Sequence, residues 1–285
     1  SPRHLSIVGA RLAWDGADGD RVLASDIGAE VDSRGTGVEE VRGSVGRFEV
    51  KTPATTFGPW SSAFERNATN ARLRVMFDPP VPDGPSALVV WARALPTQLT
   101  VKIPRTTFAN LGIKPNELGL PADVGTDVQL SVAGVLSPTA RSELTFDGSI
   151  WGIRPKGFSG PIDIRLEGGA AGNPGKPFDL EKTTVTLGAF VANVNGTITP
   201  HDGDLRLDAT FKTVPVACER LARAEARTMG PLAATLQALG QATKALRVTG
   251  TVNASGIVKY DTAAPRDVSL TWIAKETCGV SIFGM

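Results

Sequence analysis

Apolar and polar residues alternate with a period of two along most of this chain. Leu73, Val75 and Phe77 alternate with Arg72, Arg74 and Asp78, with Met76 breaking the polar side once. Leu99, Val101 and Ile103 alternate with Gln98, Thr100 and Lys102, and Val128, Leu130 and Val132 with Asp127, Gln129 and Ser131. Ile162, Ile164 and Leu166 alternate with Asp163, Arg165 and Glu167, and Leu205, Leu207, Ala209 and Phe211 with Asp204, Arg206, Asp208 and Thr210. The pattern returns around Val248 and Val252 and at Val268, Leu270 and Trp272. Side chains of a strand point to opposite faces in turn, so each segment predicts a strand with one greasy and one wet face. Such strands belong to antiparallel sheets; parallel sheets buried on both faces carry continuous apolar runs.

The turn residues agree. Asp18-Gly19, Asp83-Gly84, Asp147-Gly148, Asn195-Gly196 and Asp202-Gly203 tolerate positive φ, and Asp202-Gly203 predicts a hairpin between Asn193–Thr199 and Asp204–Phe211. Gly9 stands where the apolar phase slips from Leu5 and Ile7 to Ala10, Leu12 and Trp14, which predicts a bulge or bend. One segment departs from this period. Leu221, Leu232, Leu236, Leu239 and Leu246 follow helical spacing after Pro215, and Gly230-Pro231 interrupts them. Two helices are expected, at about 215–229 and 231–244, as a helical insertion over 215–245. A shorter helical turn is expected near Thr106–Leu111, with a pre-proline break at Lys114-Pro115. The expected fold is mainly β. It is a long curved antiparallel sheet, or a flattened β-sandwich or groove, with a two-helix segment near the C-terminus. The 285 residues form a single elongated β domain or two lobes, 1–125 and 126–285.

Composition adds three limits. The net charge of +1 gives no field for nucleic acid or a polybasic membrane grip. The 31 Gly and 20 Pro are scattered, which suits many strands joined by many turns. The two cysteines, Cys218 and Cys278, lack redox and zinc spacing. They are either two buried, unrelated thiols or one disulfide, the favoured reading; closing a loop of about sixty residues would constrain the unfolded chain by ~4 kcal/mol. No apolar run approaches the ~20 residues of a membrane span, and no signal-peptide pattern opens the chain. Any membrane anchor is expected to lie outside this sequence.

Chemistry-bearing motifs are scarce. His4 and His201 are outside any metal-ligand spacing. Phe158-Ser159-Gly160 lacks the flanks of a nucleophile elbow. The run Gly168 to Pro177 looks like a phosphate loop, but Pro177 replaces the magnesium-holding hydroxyl residue, so a flexible surface loop is expected. Asp15, Asp18 and Asp20 lack the glycine and glutamate of a calcium loop and predict a hairpin turn. No carboxylate pair stands out as acid and base. No catalytic residue, metal site or cofactor is assigned. Trp14, Trp60, Trp91, Trp151 and Trp272 are core residues or the lining of a lipid path.

The opening run from His4 to Asp15, its acidic turn and the run from Val22 to Asp32 resemble a β-hairpin unit of the AsmA-like envelope proteins. The pair Asn195–Thr199 and Asp204–Phe211 is similar. TamB-like proteins and the secretion-system N proteins share this texture. The resemblance implies a periplasmic protein, tethered to the inner membrane by a segment absent here. Its curved sheet would present an apolar inner surface to phospholipid or another lipid, in lipid transport or outer-membrane biogenesis. The candidate groove comprises Leu73, Val75, Phe77, Leu99, Val101, Ile103, Val128, Leu130, Val132, Ile162, Ile164, Leu166, Leu205, Leu207 and Phe211. The alternative is a scaffold of an envelope or secretion complex, with a closed β core, protein partners and no lipid.

Overall fold

The computed structural model describes residues 3–16, 19–34, 37–67, 70–77, 86–92, 95–154, 161–188, 190–201, 204–219 and 246–282. These form β1 (Arg3–Asp15), β2 (Arg21–Arg34), β3 (Gly37–Lys51), β4 (Thr56–Arg66), β5 (Asn70–Phe77), β6 (Ser86–Ala92), β7 (Leu95–Thr107), β8 (Asp127–Leu136) and β9 (Ser142–Ile153). They continue with β10 (Ile162–Gly172), β11 (Phe178–Leu187), β12 (Phe190–His201), β13 (Asp204–Thr213), β14 (Val216–Ala217), β15 (Leu246–Thr249), β16 (Thr251–Asp261), β17 (Ser269–Glu276) and β18 (Gly279–Ile282). Strands β1 to β13 pair in sequence order, every pair antiparallel, and β16 follows β13. Strand β14 pairs with the start of β16, β17 lies on the other side of β16, and β15 with β18 makes a separate two-stranded sheet. Pairing of β7 with β8 carries the sheet across residues 125–126.

Directly opposed residues of antiparallel strands share a face. One ladder therefore runs through eleven strands: Ile7, Ala29, Gly43, Phe64, Leu73, Val89, Leu99, Gly134, Leu144, Ala170 and Leu180. Every position is apolar or glycine. A parallel row joins Ile103, Leu130, Gly148, Leu166, Val185 and Ala192, and others join Val194, Phe211, Gly256 and Trp272. The glycines lie beneath large neighbours. A Cβ at Gly43 would fall 2.3 Å from the Phe64 ring, and one at Gly134 2.6 Å from a Leu144 methyl. At Gly256 it would meet the Thr271 carbonyl at 2.2 Å and the Phe211 ring at 2.7 Å. Gly256→Val is thus expected to lower unfolding free energy by about 1–3 kcal/mol in urea denaturation.

Bulges bend the strands. Gly9, at φ 68°, lies between the paired positions Ile7 and Ala10, where the register shifts. Lys182, at φ 48°, lies in the register shift between Asp179 and Thr183. Of the run expected as a surface loop, residues 173–177 form the exposed turn between β10 and β11, but Gly168–Gly172 do not belong to it. They lie in β10, with Ala170 and Ala171 buried, because small residues there let neighbouring strands approach.

The helical insertion requires a correction. Val216 and Ala217 form β14, paired with Val252 and Thr251, where a first helical turn from Pro215 was expected. Strand pairing with β16 outweighs the local proline signal. Helical backbone begins only at Cys218 and Glu219, and no α-helical element is described; the rest of the two expected helices, and the Asp202-Gly203 turn, lie outside the described residues. The helical turn expected near Thr106–Leu111 is also displaced. Thr106 and Thr107 still belong to β7, a hydrogen-bonded turn follows at 108–112, and a 3-10 turn forms at Pro115–Leu118.

The connection between β7 and β8 shows that the sheet is curled. Thr55, just before β4, donates its hydroxyl to the Glu117 carboxylate. Two residues on, Gly119 packs against the carbonyl of Pro265 in the β16–β17 turn. These contacts bring the start of β4 and the β16–β17 turn within about 20 Å, from chain and side-chain reach. The sheet order separates β4 from β16 by ten strand steps, ~48 Å across a flat sheet. The sheet therefore curves back on itself, with the 108–126 connection bracing it.

Candidate functional site

The site to be tested is the apolar face of this sheet. Ile103, Val128 and Ile162 are buried on it. Leu73, Leu99, Val101, Leu130, Val132, Ile164, Leu207 and Phe211 are half-buried, and Leu166 and Leu205 are exposed. Val75 and Phe77 occupy β5 positions opposite Ser62 and Trp60. Cross-strand register places all fifteen positions on the same face.

The middle of this face is filled. Phe108 and Leu111 of the bracing connection pack with Ile103 and Val128, and with Trp60, Ile113, Leu120 and Ile150 around them. Leu111 is 1% exposed. Trp60 donates its indole N–H to the Leu111 carbonyl at 2.7 Å, and its ring meets Phe48 edge-on at 5.6 Å. Tyr260 donates to the Leu118 carbonyl at 3.4 Å, and burial pushes its hydroxyl above the ordinary tyrosine value. The Thr55 hydrogen bond holds the Glu117 carboxyl below the usual carboxylate range.

Away from this plug the same face is open. Leu5 is 58% exposed and Trp14 54% on β1, and Leu270 is 57% and Trp272 55% on β17. Sequence alternation singled out the β17 residues and the β1 phase slip, yet put neither in the groove. It also missed Phe64, Phe146 and Tyr260, which share the apolar rows. Their signal was weaker: β2 to β4 mix glycine, alanine and charged residues into the period. The tryptophans divide. Trp60 belongs to the core cluster, Trp14 and Trp272 to the open face, and Trp151 to the wet face.

The wet face carries ion pairs. A depression of about 730 Å³ is lined by Gln129, Ser149, Trp151, Asp163, Arg165 and Thr186, among others. Arg105 lies over the Trp151 ring at 4.4 Å and binds Asp127 at 2.7 Å. Arg165 holds Asp147 at 2.9 Å and Glu167 at 3.0 Å, and Asp163 accepts the Gly152 N–H at 2.8 Å. These carboxylates are already engaged. Among the described residues no three His, Cys, Asp or Glu side chains are grouped to hold a metal. His4 binds Asp32 at 2.8 Å, which raises its pKa above the ordinary histidine value.

Cys218 and Cys278 form a disulfide. Cys218 is fully buried, and its N–H donates to the Gly250 carbonyl at 3.0 Å. The bridge ties the chain after β14 to the β17–β18 turn and fits an oxidising compartment. Among the described residues no helix is long and apolar enough to cross a membrane. Comparison of the chain with protein-family models, curated proteins and solved structures found no match.

Proposed function

We propose that this chain is a non-enzymatic, periplasmic, AsmA-like protein whose curled sheet shelters the acyl chains of phospholipid or another lipid during transport or envelope biogenesis. One observation carries the reading. The face that forms the core at its centre continues to both margins of the sheet with large apolar side chains still exposed, Leu5 and Trp14 at one side and Leu270 and Trp272 at the other. Contiguous exposed apolar surface is costly in water and marks a place for an apolar ligand. The disulfide supports the compartment.

The filled centre favours the second reading, a scaffold module of an envelope or secretion complex. Phe108 and Leu111 occupy the place an acyl chain would take there, so lipid would be confined to the flanks of the plug.

The test separates the two. Protein purified without detergent is extracted with organic solvent, and the extract is examined by mass spectrometry. Stoichiometric phospholipid is expected. The double variant Leu205→Asp with Leu270→Asp, at exposed positions on the face, should lose several-fold of that lipid while its stability changes by no more than about 0.5 kcal/mol per site. No lipid on folded wild-type protein would end the lipid reading and leave the scaffold.

A further inference from the structure

The free edge of β1 is complementary to itself. Among the described residues this strand pairs with β2 alone, so one side of its 13-residue backbone has no strand beside it. Exposed edges invite pairing, and proteins guard them with charged residues, lysine above all, or with proline, bulges, covering segments or short length. From Arg3 to Asp15 there is neither lysine nor proline. The opposite edge, β17, is shorter and ends in Lys275-Glu276.

The bulge decides what fits. Before Gly9 the apolar-face residues are Leu5 and Ile7; after it they are Ala10, Leu12 and Trp14. An antiparallel second copy aligned about a two-fold axis between Gly9 and Ala10 sets Leu5 opposite Trp14 of the other copy, and Ile7 opposite Leu12. The phase slip puts odd positions of one half against even positions of the other on the same face. An unbulged strand in that register would place greasy against wet side chains.

Charge agrees with the same register. His4 would face the second copy's Asp15. Within one chain His4 is bonded to Asp32 and Asp15 to Arg21, at 2.8 and 3.1 Å. Pairing would form a row of alternating acidic and basic side chains across four strands, from Asp32 through His4 to the second copy's Asp15 and Arg21.

We infer that β1 pairs antiparallel with β1 of a second copy, in this register, to make a two-fold dimer whose apolar faces are continuous. The contact is isologous and closes at two chains. It does not depend on whether lipid binds.

Two single variants test the register. Ser6→Cys and Ala13→Cys lie opposite each other in the dimer, whereas Ser6 is far from Ser6 and Ala13 from Ala13. Light scattering of the whole chain at rising concentration should reach twice the monomer mass. Mild oxidation of the mixed variants should give a cross-linked dimer, and oxidation of either variant alone should leave monomers on denaturing gels. A third variant, Val8→Lys, charges an 87% exposed edge position and should cut association at least tenfold with an unchanged circular dichroism spectrum. A monomer mass at all concentrations, a dimer whose mixed variants do not cross-link, or cross-linking of one variant with itself would each overturn the inference.

Discussion

Phe108→Ala is expected to lower the unfolding free energy by about 3–5 kcal/mol. Phe108 is 5% exposed and packs against Ile103, Leu111 and Val128, so truncation leaves a cavity in the core cluster. The consequence extends beyond lost contacts. The turn that Phe108 anchors leads to Glu117 and Gly119, which link β4 to the β16–β17 turn. Urea unfolding followed by tryptophan fluorescence reads the loss, and Trp60, hydrogen-bonded to Leu111, reports on this region directly. A change below about 1 kcal/mol would mean that the connection does not brace the sheet.

Reduction, or the pair Cys218→Ala with Cys278→Ala, is expected to remove about 4 kcal/mol. The bridge spans a sequence separation of 60, and the entropy of closing such a loop in the unfolded chain gives that magnitude. Most of the loss should fall on the C-terminal strands. Cys218 adjoins β14, whose two pairings with β16 are too few to persist alone, and Cys278 holds the turn into β18. Hydrogen exchange measured by mass spectrometry should show faster exchange in β14 to β18 on reduction, with β1 to β13 little altered. Uniform acceleration across the chain would assign the bridge a global role instead.

The two predictions concern features that differ in how legible they were. Period-two alternation revealed the strands and their greasy face because a sheet wet on one side imposes that pattern directly. Gly9 marked its own bulge through the phase slip. The bracing connection had no such mark. Phe108, Leu111, Ile113 and Leu120 follow no period, because a loop laid over a sheet presents side chains wherever its turns aim them. A curved sheet was one of the expected alternatives, but the extent of its curling was not legible: alternation records which face is buried and not how far that face bends.

The glycine-rich stretches misled in an instructive way. Val194–Ile198 and Val248–Val252 look alike in sequence. Gly196 sits inside β12, packed against Ala209, whereas Gly250, at φ 93°, breaks the chain between β15 and β16. Gly168–Gly172 is strand for the first of these reasons. Absence of a side chain serves both close approach and sharp turning, and only the partner strand decides between them. At Pro215 the local signal favoured a helix start, but the register of Val216 and Ala217 on β16 prevailed.

The sequential order of β1 to β13 bears on how the molecule is made. Each of these strands finds its partner in the next stretch of chain, so contact order stays low for so large an all-β protein and little loop entropy is lost per pairing. Assembly is able to zip hairpin by hairpin from the amino-terminal end while later segments are still being synthesised. The brace between Thr55, Glu117 and Pro265, the pairings of β16 with β13 and of β18 with β15, and the thiol oxidation wait for more distant parts to arrive.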